Sequence, residues 1–253
     1  MDVRLAFLLS RAEEALPRLQ ALGLGAEVYL DPALLEEDAL FQSLRRRLPG
    51  RVSVHLPFWN LDLLSPAPAV RGLTLRRLLF GLDRAAELGA DRAVFHSGIP
   101  HGRTPEEALE RALPLAEALG LVVRRARTLG VRLLLENSHE PCPEVLRPVL
   151  EAHAGELGFC FDAAHARVFS RTPDPGPWLA LGPEHLHLND TDGVYDRHWN
   201  LGRGVLGHRE WLLPFLGRTL VLEVREDPEA SLAFLQALAG EGRTAFDRLL
   251  MEG

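Results

Sequence analysis

The chain has 253 residues, 47% of them hydrophobic and 25% charged, which is the composition of a globular protein with a large core and excludes disorder as the main state. All 28 basic residues are arginine, so lysine Schiff-base chemistry and a phosphate-binding P-loop are excluded. A formal net charge of −7 argues against a broadly basic nucleic-acid surface, although it leaves room for a local cationic pocket built on metal ions.

Along the chain, short β-rich runs alternate with longer amphipathic ones, the pattern of repeated βα units around a parallel sheet. Strands are predicted at Val3 to Leu8, Ala26 to Leu30, Arg51 to Leu56, Arg92 to His96, Arg132 to Glu136, Leu157 to Asp162, His185 to Asn189 and Thr219 to Val224. The first contains the apolar run LAFLL, too short for a signal peptide, and no run reaches the roughly 18 apolar residues of a membrane span. The expected address is therefore the cytoplasm, with no membrane partner and no protein partner implied. Between strands four and five, TPEEALERALPLAEALGLVVRRARTLG predicts one helix, with Thr104 as N-cap, Pro105 in the first turn and Gly130 as the stop. Cys142 and Cys160 are too few for a disulfide framework or a cysteine-rich zinc site and read as free thiols, with Cys160 in the core. The sixth connection, ARVFSRTPDPGPWLALGP, is rich in proline and glycine and predicts a loop with a short helix. Eight βα units in this length predict a single (β/α)8 TIM barrel over residues 1–253.

Polar residues gather at the predicted strand ends. His55 ends strand three, His96 strand four, Glu136 strand five and Asp162 strand six; His187 lies in strand seven and Glu223 near the end of strand eight. Barrel active sites form at the carboxyl ends of the strands, so these six converge on one rim. Imidazoles and carboxylates are the mix that Zn²⁺ and Mn²⁺ accept, and crowding them together without a cation would shift their pKa values strongly. Three more candidates follow: His165, one turn after Asp162, and the pair Asp196 and His198 in YDRH. Taken alone, DGVYDRH reads as a solvated loop with turn-forming residues.

The ordered set SVHLPF, VFHSG, LLLENS, FCFDAAHA, HLHLND, DRHWNLGRG and LVLEV resembles the endonuclease IV family of apurinic/apyrimidinic endonucleases, within the wider xylose-isomerase-like TIM barrel superfamily. The resemblance implies two to three Zn²⁺ ions. His55, His96 and Glu136 would hold the first, Glu136, Asp162, His187 and Glu223 the second, and His165, Asp196 and His198 the third. It implies hydrolysis of a phosphodiester, 5′ of abasic sites in DNA, by a hydroxide activated on the metals. Glu136 and Glu223 are the candidate catalytic carboxylates. Phe58 and Trp59 stand where the family wedges side chains into a duplex, and with Arg197 and Arg203 they are the candidate substrate contacts.

Departures from the family point to a smaller phosphoester than DNA. LDPALLEED, after strand two, is acidic where a basic contact loop would stand, and the segment between His187 and Asp196 is short. The rival reading in the same superfamily is a sugar isomerase or epimerase, in which Glu136, Asp162, His187 and Glu223 hold a single Mn²⁺ or similar ion and the two glutamates shuttle a proton. A metal-stabilised binding module without catalysis is the third.

Overall fold

Eight parallel strands close into a barrel in chain order, each hydrogen-bonded to the next and the eighth to the first, in a computed structural model that describes residues 1–252, with side chains through residue 242. The strands are β1 (Asp2–Leu8), β2 (Gly25–Tyr29), β3 (Val52–His55), β4 (Arg92–His96), β5 (Arg132–Glu136), β6 (Leu157–Asp162), β7 (His185–Leu188) and β8 (Thr219–Leu222). Around them run α1 (Ala12–Leu22), α2 (Asp38–Arg45), α3 (Pro68–Leu88), α4 (Pro105–Leu109), α5 (Ala112–Leu129), α6 (Arg147–Ala152), α7 (Ala163–Phe169), α8 (Pro175–Leu179), α9 (His208–Trp211) and α10 (Glu229–Glu252). This is the expected (β/α)8 barrel of xylose-isomerase-like type. Among the described residues no helix is long and apolar enough to cross a membrane.

Period-two alternation divides the apolar residues into two cores. One face of each strand, with residues such as Val28, Val54, Leu133, Phe159 and Leu186, packs against the helices in one large buried cluster. The opposite face points into the barrel, where Val94, Leu134 and Cys160 form a small separate cluster. Cys160 is fully buried and unpaired, as expected, and Cys142 is also free.

The segment from Thr104 to Gly130 is two helices, not the single one predicted. Its ends behave as expected: Thr104 forms a capping box with Glu107, and Gly130 closes α5 at φ 70°. The break falls at Glu110 and Arg111, and Pro114 explains it. A proline lacks the N–H that would bond the Glu110 carbonyl, and its ring would collide with that carbonyl in a continuous helix. The sixth connection folds as two short helices, α7 and α8, where one was expected. Several strand ends are shorter than predicted, leaving Arg51, Leu56, Asn189, Glu223 and Val224 just outside the ladder.

The registers place the rim residues. Tyr29 pairs with His55, His96 with Glu136, and Asp162 with His187. His55 pairs with Val94, Glu136 with Cys160, and His187 with Val221, each two residues before the next rim residue. The ladder therefore climbs two residues at every second step, which is the stagger that a closed, tilted barrel requires. A two-residue step preserves the inward face, so residues far apart in sequence meet at one level.

Candidate metal centre

Glu136, at the end of β5, reaches between the histidines that end β3 and β4. Its Oε2 lies 3.1 Å from His55 Nε2 and 3.3 Å from His96 Nε2, and the two imidazole nitrogens are 3.3 Å apart. Metal–ligand bonds of about 2.05 Å in a tetrahedral site give ligand–ligand edges of about 3.3 Å. His55 Nδ1 donates to the Leu56 carbonyl at 2.8 Å, which leaves the Nε2 lone pair of the neutral ring facing the other two ligands. One proton can bridge one pair of these atoms; a divalent cation satisfies all three.

The other oxygen of Glu136 turns the opposite way. Oε1 is 3.1 Å from Nδ1 of His187 and 3.1 Å from Nδ1 of His165, while His187 Nδ1 is also 2.7 Å from Glu223 Oε1. Donor atoms of Glu136, Asp162 and His165 lie within 4.8 Å of one another. Glu136 Oε1 and His187 Nδ1 are buried without a hydrogen-bond partner despite these short contacts. The contacts are misaligned for hydrogen bonding, as expected of ligands directed at a shared point between them.

A third group stands beside these. Asp196 Oδ2 is 2.9 Å from His198 Nε2 and 3.7 Å from His165 Nε2, and Asp196 Oδ1 is buried without a partner. His165 Nδ1 bonds the Asn137 carbonyl at 2.9 Å and His198 Nδ1 the Glu223 carbonyl at 2.8 Å. Each carbonyl fixes its imidazole with Nε2 turned to the cluster, the arrangement that orients metal-binding histidines. The structure thus brings all nine candidate ligands together in groups suited to divalent ions, and their nitrogen and oxygen atoms fit Zn²⁺ or Mn²⁺.

The loop carrying Asp196 and His198 is ordered by its own sequence, contrary to the solvated loop it resembles in isolation. Asp190 and Trp199 exchange backbone hydrogen bonds at 2.8 and 3.0 Å. The buried Asp190 carboxylate accepts from the N–H groups of Thr191, Gly202 and Leu206. Gly204 has no room for a side chain, since a Cβ there would stand 2.1 Å from the Thr191 carbonyl oxygen. At the far end the Arg225 N–H bonds the His198 carbonyl, and His198 itself adopts φ 52°, a left-handed conformation held by these contacts.

Charge accounts for the titration of the cluster. Burial would raise the Glu136 carboxyl, but the charges of His187 and His96 outweigh it and hold the group well below the usual range. Burial would lower His198; its hydrogen bond to Asp196 and the charge of Glu223 instead raise it to about 9. His165 is also raised well above the ordinary imidazole value, against burial, chiefly by Asp162. For Asp162, burial dominates and lifts the carboxyl to about 6. Metal-free, the cluster collects protons on its imidazoles, and a bound cation displaces them.

Sequence reasoning missed Glu27, Tyr29 and His185. Tyr29 stacks on His55 with ring centroids 4.4 Å apart, and its hydroxyl donates to Glu223. Glu27 and His185 are fully buried one layer below the ligands and bonded to each other. The only signal was the inward register of three polar residues within apolar strands.

The cluster opens into a cavity of about 710 Å³, lined on one side by His96, His165, His198 and Tyr29 and on the other by Phe7 and Leu8. Phe58 and Trp59 both line it; Phe58 packs on the rings of His55 and His96, while Trp59 is exposed. Arg197 and Arg203 lie elsewhere. Arg197 bonds Asp192 at 2.8 Å and covers Tyr195, and Arg203 pairs with Glu226 and covers Trp199. Arg11, Arg18 and Arg225 line the cavity instead.

A family model described as xylose isomerase-like TIM barrel matches residues 20–238. The chain belongs to this family. Xylose isomerase-like relatives include the TTHB071 protein from Thermus thermophilus, solved after soaking with ZnCl2: 93% identical, with a TM-score of 0.95 over 95% of this chain and 99% of that one. An uncharacterized protein of Methanocaldococcus jannaschii is 28% identical over 73% of this chain, which spans only 65% of that relative's length. A probable endonuclease 4 of Solibacter usitatus is 28% identical, over 71% of this chain and 73% of that protein. Two more distant structures share the fold. A D-tagatose 3-epimerase-like protein is 21% identical, with a TM-score of 0.78 over 99% of this chain and 100% of that one. Endonuclease IV from Thermus thermophilus is 23% identical, with a TM-score of 0.64 over 95% of this chain and 100% of that one.

Proposed function

We propose that the protein is a divalent-metal-dependent phosphodiester hydrolase of endonuclease IV type whose substrate is a small phosphoester or the phosphodiester at an abasic site. The observation that carries this reading is the ligand complement on both sides of Glu136: His55 and His96 around one oxygen, and His165, Asp196 and His198 beyond the other. A single-ion site needs neither outer set. When bound, two or three Zn²⁺ ions would supply Lewis-acid activation of water and neutralisation of phosphoester charge, and the ZnCl2-soaked relative supports zinc as the metal.

The chain's own residues do the rest. Glu136 would bridge two ions through its separate oxygens, and Glu223 would complete the second site with its orientation fixed by the Tyr29 hydroxyl. Phe58 holds the His55 and His96 rings edge-on, and Trp59 offers an exposed face at the mouth. Arg11, Arg18 and Arg225 attract an anionic substrate to a cavity whose volume suits a small molecule. No lysine is available as nucleophile, and Cys160 is buried with its thiol pushed well up by burial.

One observation favours the rival, a single-metal sugar isomerase or epimerase: Glu136 and Glu223 flank the same His187 nitrogen at 3.1 and 2.7 Å, as a pair exchanging a substrate proton would. Elemental analysis of protein purified without added metal, combined with assays on an abasic duplex, small phosphodiesters and ketoses, separates the two. Two to three transition-metal ions per chain and phosphodiester cleavage support hydrolysis; one ion and ketose turnover establish the rival.

A further inference from the structure

Below the ligands lies a polar layer that the proposed chemistry does not use. Glu27, on β2, pairs in the ladder with Ser53, and both side chains are fully buried. A carboxylate in that position needs partners for its charge. Oε2 has two: it accepts from the Ser53 hydroxyl at 2.6 Å and bonds His185 Nε2 at 2.9 Å. Oε1 is left to a single group, His187 Nε2, at 2.8 Å in a bent approach that falls short of a full hydrogen bond. His187 therefore stands between two carboxylates, Glu27 at Nε2 and Glu223 at Nδ1.

A neutral imidazole has one N–H, and the two carboxylates compete for it. If the proton sits on Nδ1 it bonds Glu223, and His187 offers no lone pair to a metal among Glu136, Asp162 and Glu223. If it sits on Nε2 it faces Glu27, and the Nδ1 lone pair turns to those ligands. We propose that Glu27 is a positioning residue that draws the His187 proton to Nε2 and so makes Nδ1 the ligand of the second metal ion. Ser53 and His185 hold Oε2, which keeps Oε1 aimed at His187 alone. The inference rests on the metal reading of that group, and it explains why a buried charge occupies a strand otherwise filled by apolar and aromatic residues.

The test is Glu27→Gln, which keeps the shape and removes the charge. Zn²⁺ competition against a chelator should show the second ion weakened by about 10- to 100-fold, the scale for losing an outer carboxylate, with the ion held by His55 and His96 retained. In metal-free protein, ¹⁵N spectra of labelled imidazoles should show His187 shifting towards the Nδ1–H form. If Glu27→Gln does not fold, Ser53→Ala, which releases only the anchoring hydrogen bond, should give smaller changes of the same sign in both measurements. A folded variant with an unchanged tautomer and unchanged zinc affinity overturns the proposal, even if its thermal midpoint falls. A wild-type chain that takes up no zinc defeats the metal reading instead, and the imidazole spectra still decide whether Glu27 sets the proton.

Discussion

Glu136 faces His55 through Oε2 at 3.1 Å and leaves Oε1 to the His165 and His187 side of the cluster. One side chain thus joins two groups that are otherwise built from different strands. Glu136→Gln should abolish turnover, by at least about 100-fold, because a neutral amide bridges cations poorly. Since Glu136 sits at the rim, above the apolar layer of Val94 and Leu134, the variant should keep its circular dichroism spectrum. Unchanged activity would remove the metal mechanism, and an unfolded variant would make Glu136 structural.

His198→Ala separates the two enzyme readings. If Asp196, His165 and His198 hold an ion that stabilises phosphoester charge, phosphodiester hydrolysis should fall about 100-fold. A single-ion isomerase built on Glu136, Asp162, His187 and Glu223 would feel the change far less. Ketose turnover that survives the substitution would defeat the hydrolase reading.

Metal removal should lower stability as well as activity. The cluster places carboxylates and imidazoles at 2.7 to 3.3 Å with several buried atoms unpartnered, and ions binding only the folded chain stabilise it by mass action. At free metal about 100 times the dissociation constant this is about 2.7 kcal/mol per ion. That corresponds to a thermal midpoint about 5–10 °C lower after chelation, given the usual 2–4 °C per kcal/mol at this chain length. A scan showing the same midpoint with and without chelator would contradict it.

At the opposite end of the barrel, Arg4 is only 1% exposed and pairs with Asp91 at 2.6 Å and Asp2 at 2.9 Å. Burial would raise both carboxyls, but Arg4 holds both below their ordinary value. Groups depressed in the folded state contribute stability that is complete above the unfolded pKa, near 4, and is lost as pH falls through the lower folded value. Asp91→Asn should therefore cost about 1–3 kcal/mol at pH 7, moderated because Asp91 is half-exposed and Asp2 remains. In urea titrations the gap between variant and wild type should shrink below about pH 3. A gap that widens in acid would show that Arg4 does not depend on this carboxylate.

Local patterning settled much of this molecule. Alternating strand and helix periodicities, with caps such as Thr104 and Gly130, determined the βα repeat, and the His, Asp and Glu residues ending the strands determined a rim rich in metal ligands. Pro114 was legible too, but its effect on a carbonyl four residues back was outweighed in a reading based on apolar spacing. What tertiary structure decided is the grouping. Barrel closure and its two-residue stagger bring Glu136 between His55 and His187, and the Asp190 hydrogen bonds turn DRH from a solvated loop into a wall of the site. Glu27 was hidden for the same reason. In sequence it is one charge in a short strand, and it gains a role only where register sets Ser53, His185 and His187 around it, because hydrogen bonds and metal coordination depend on distances that no local pattern encodes.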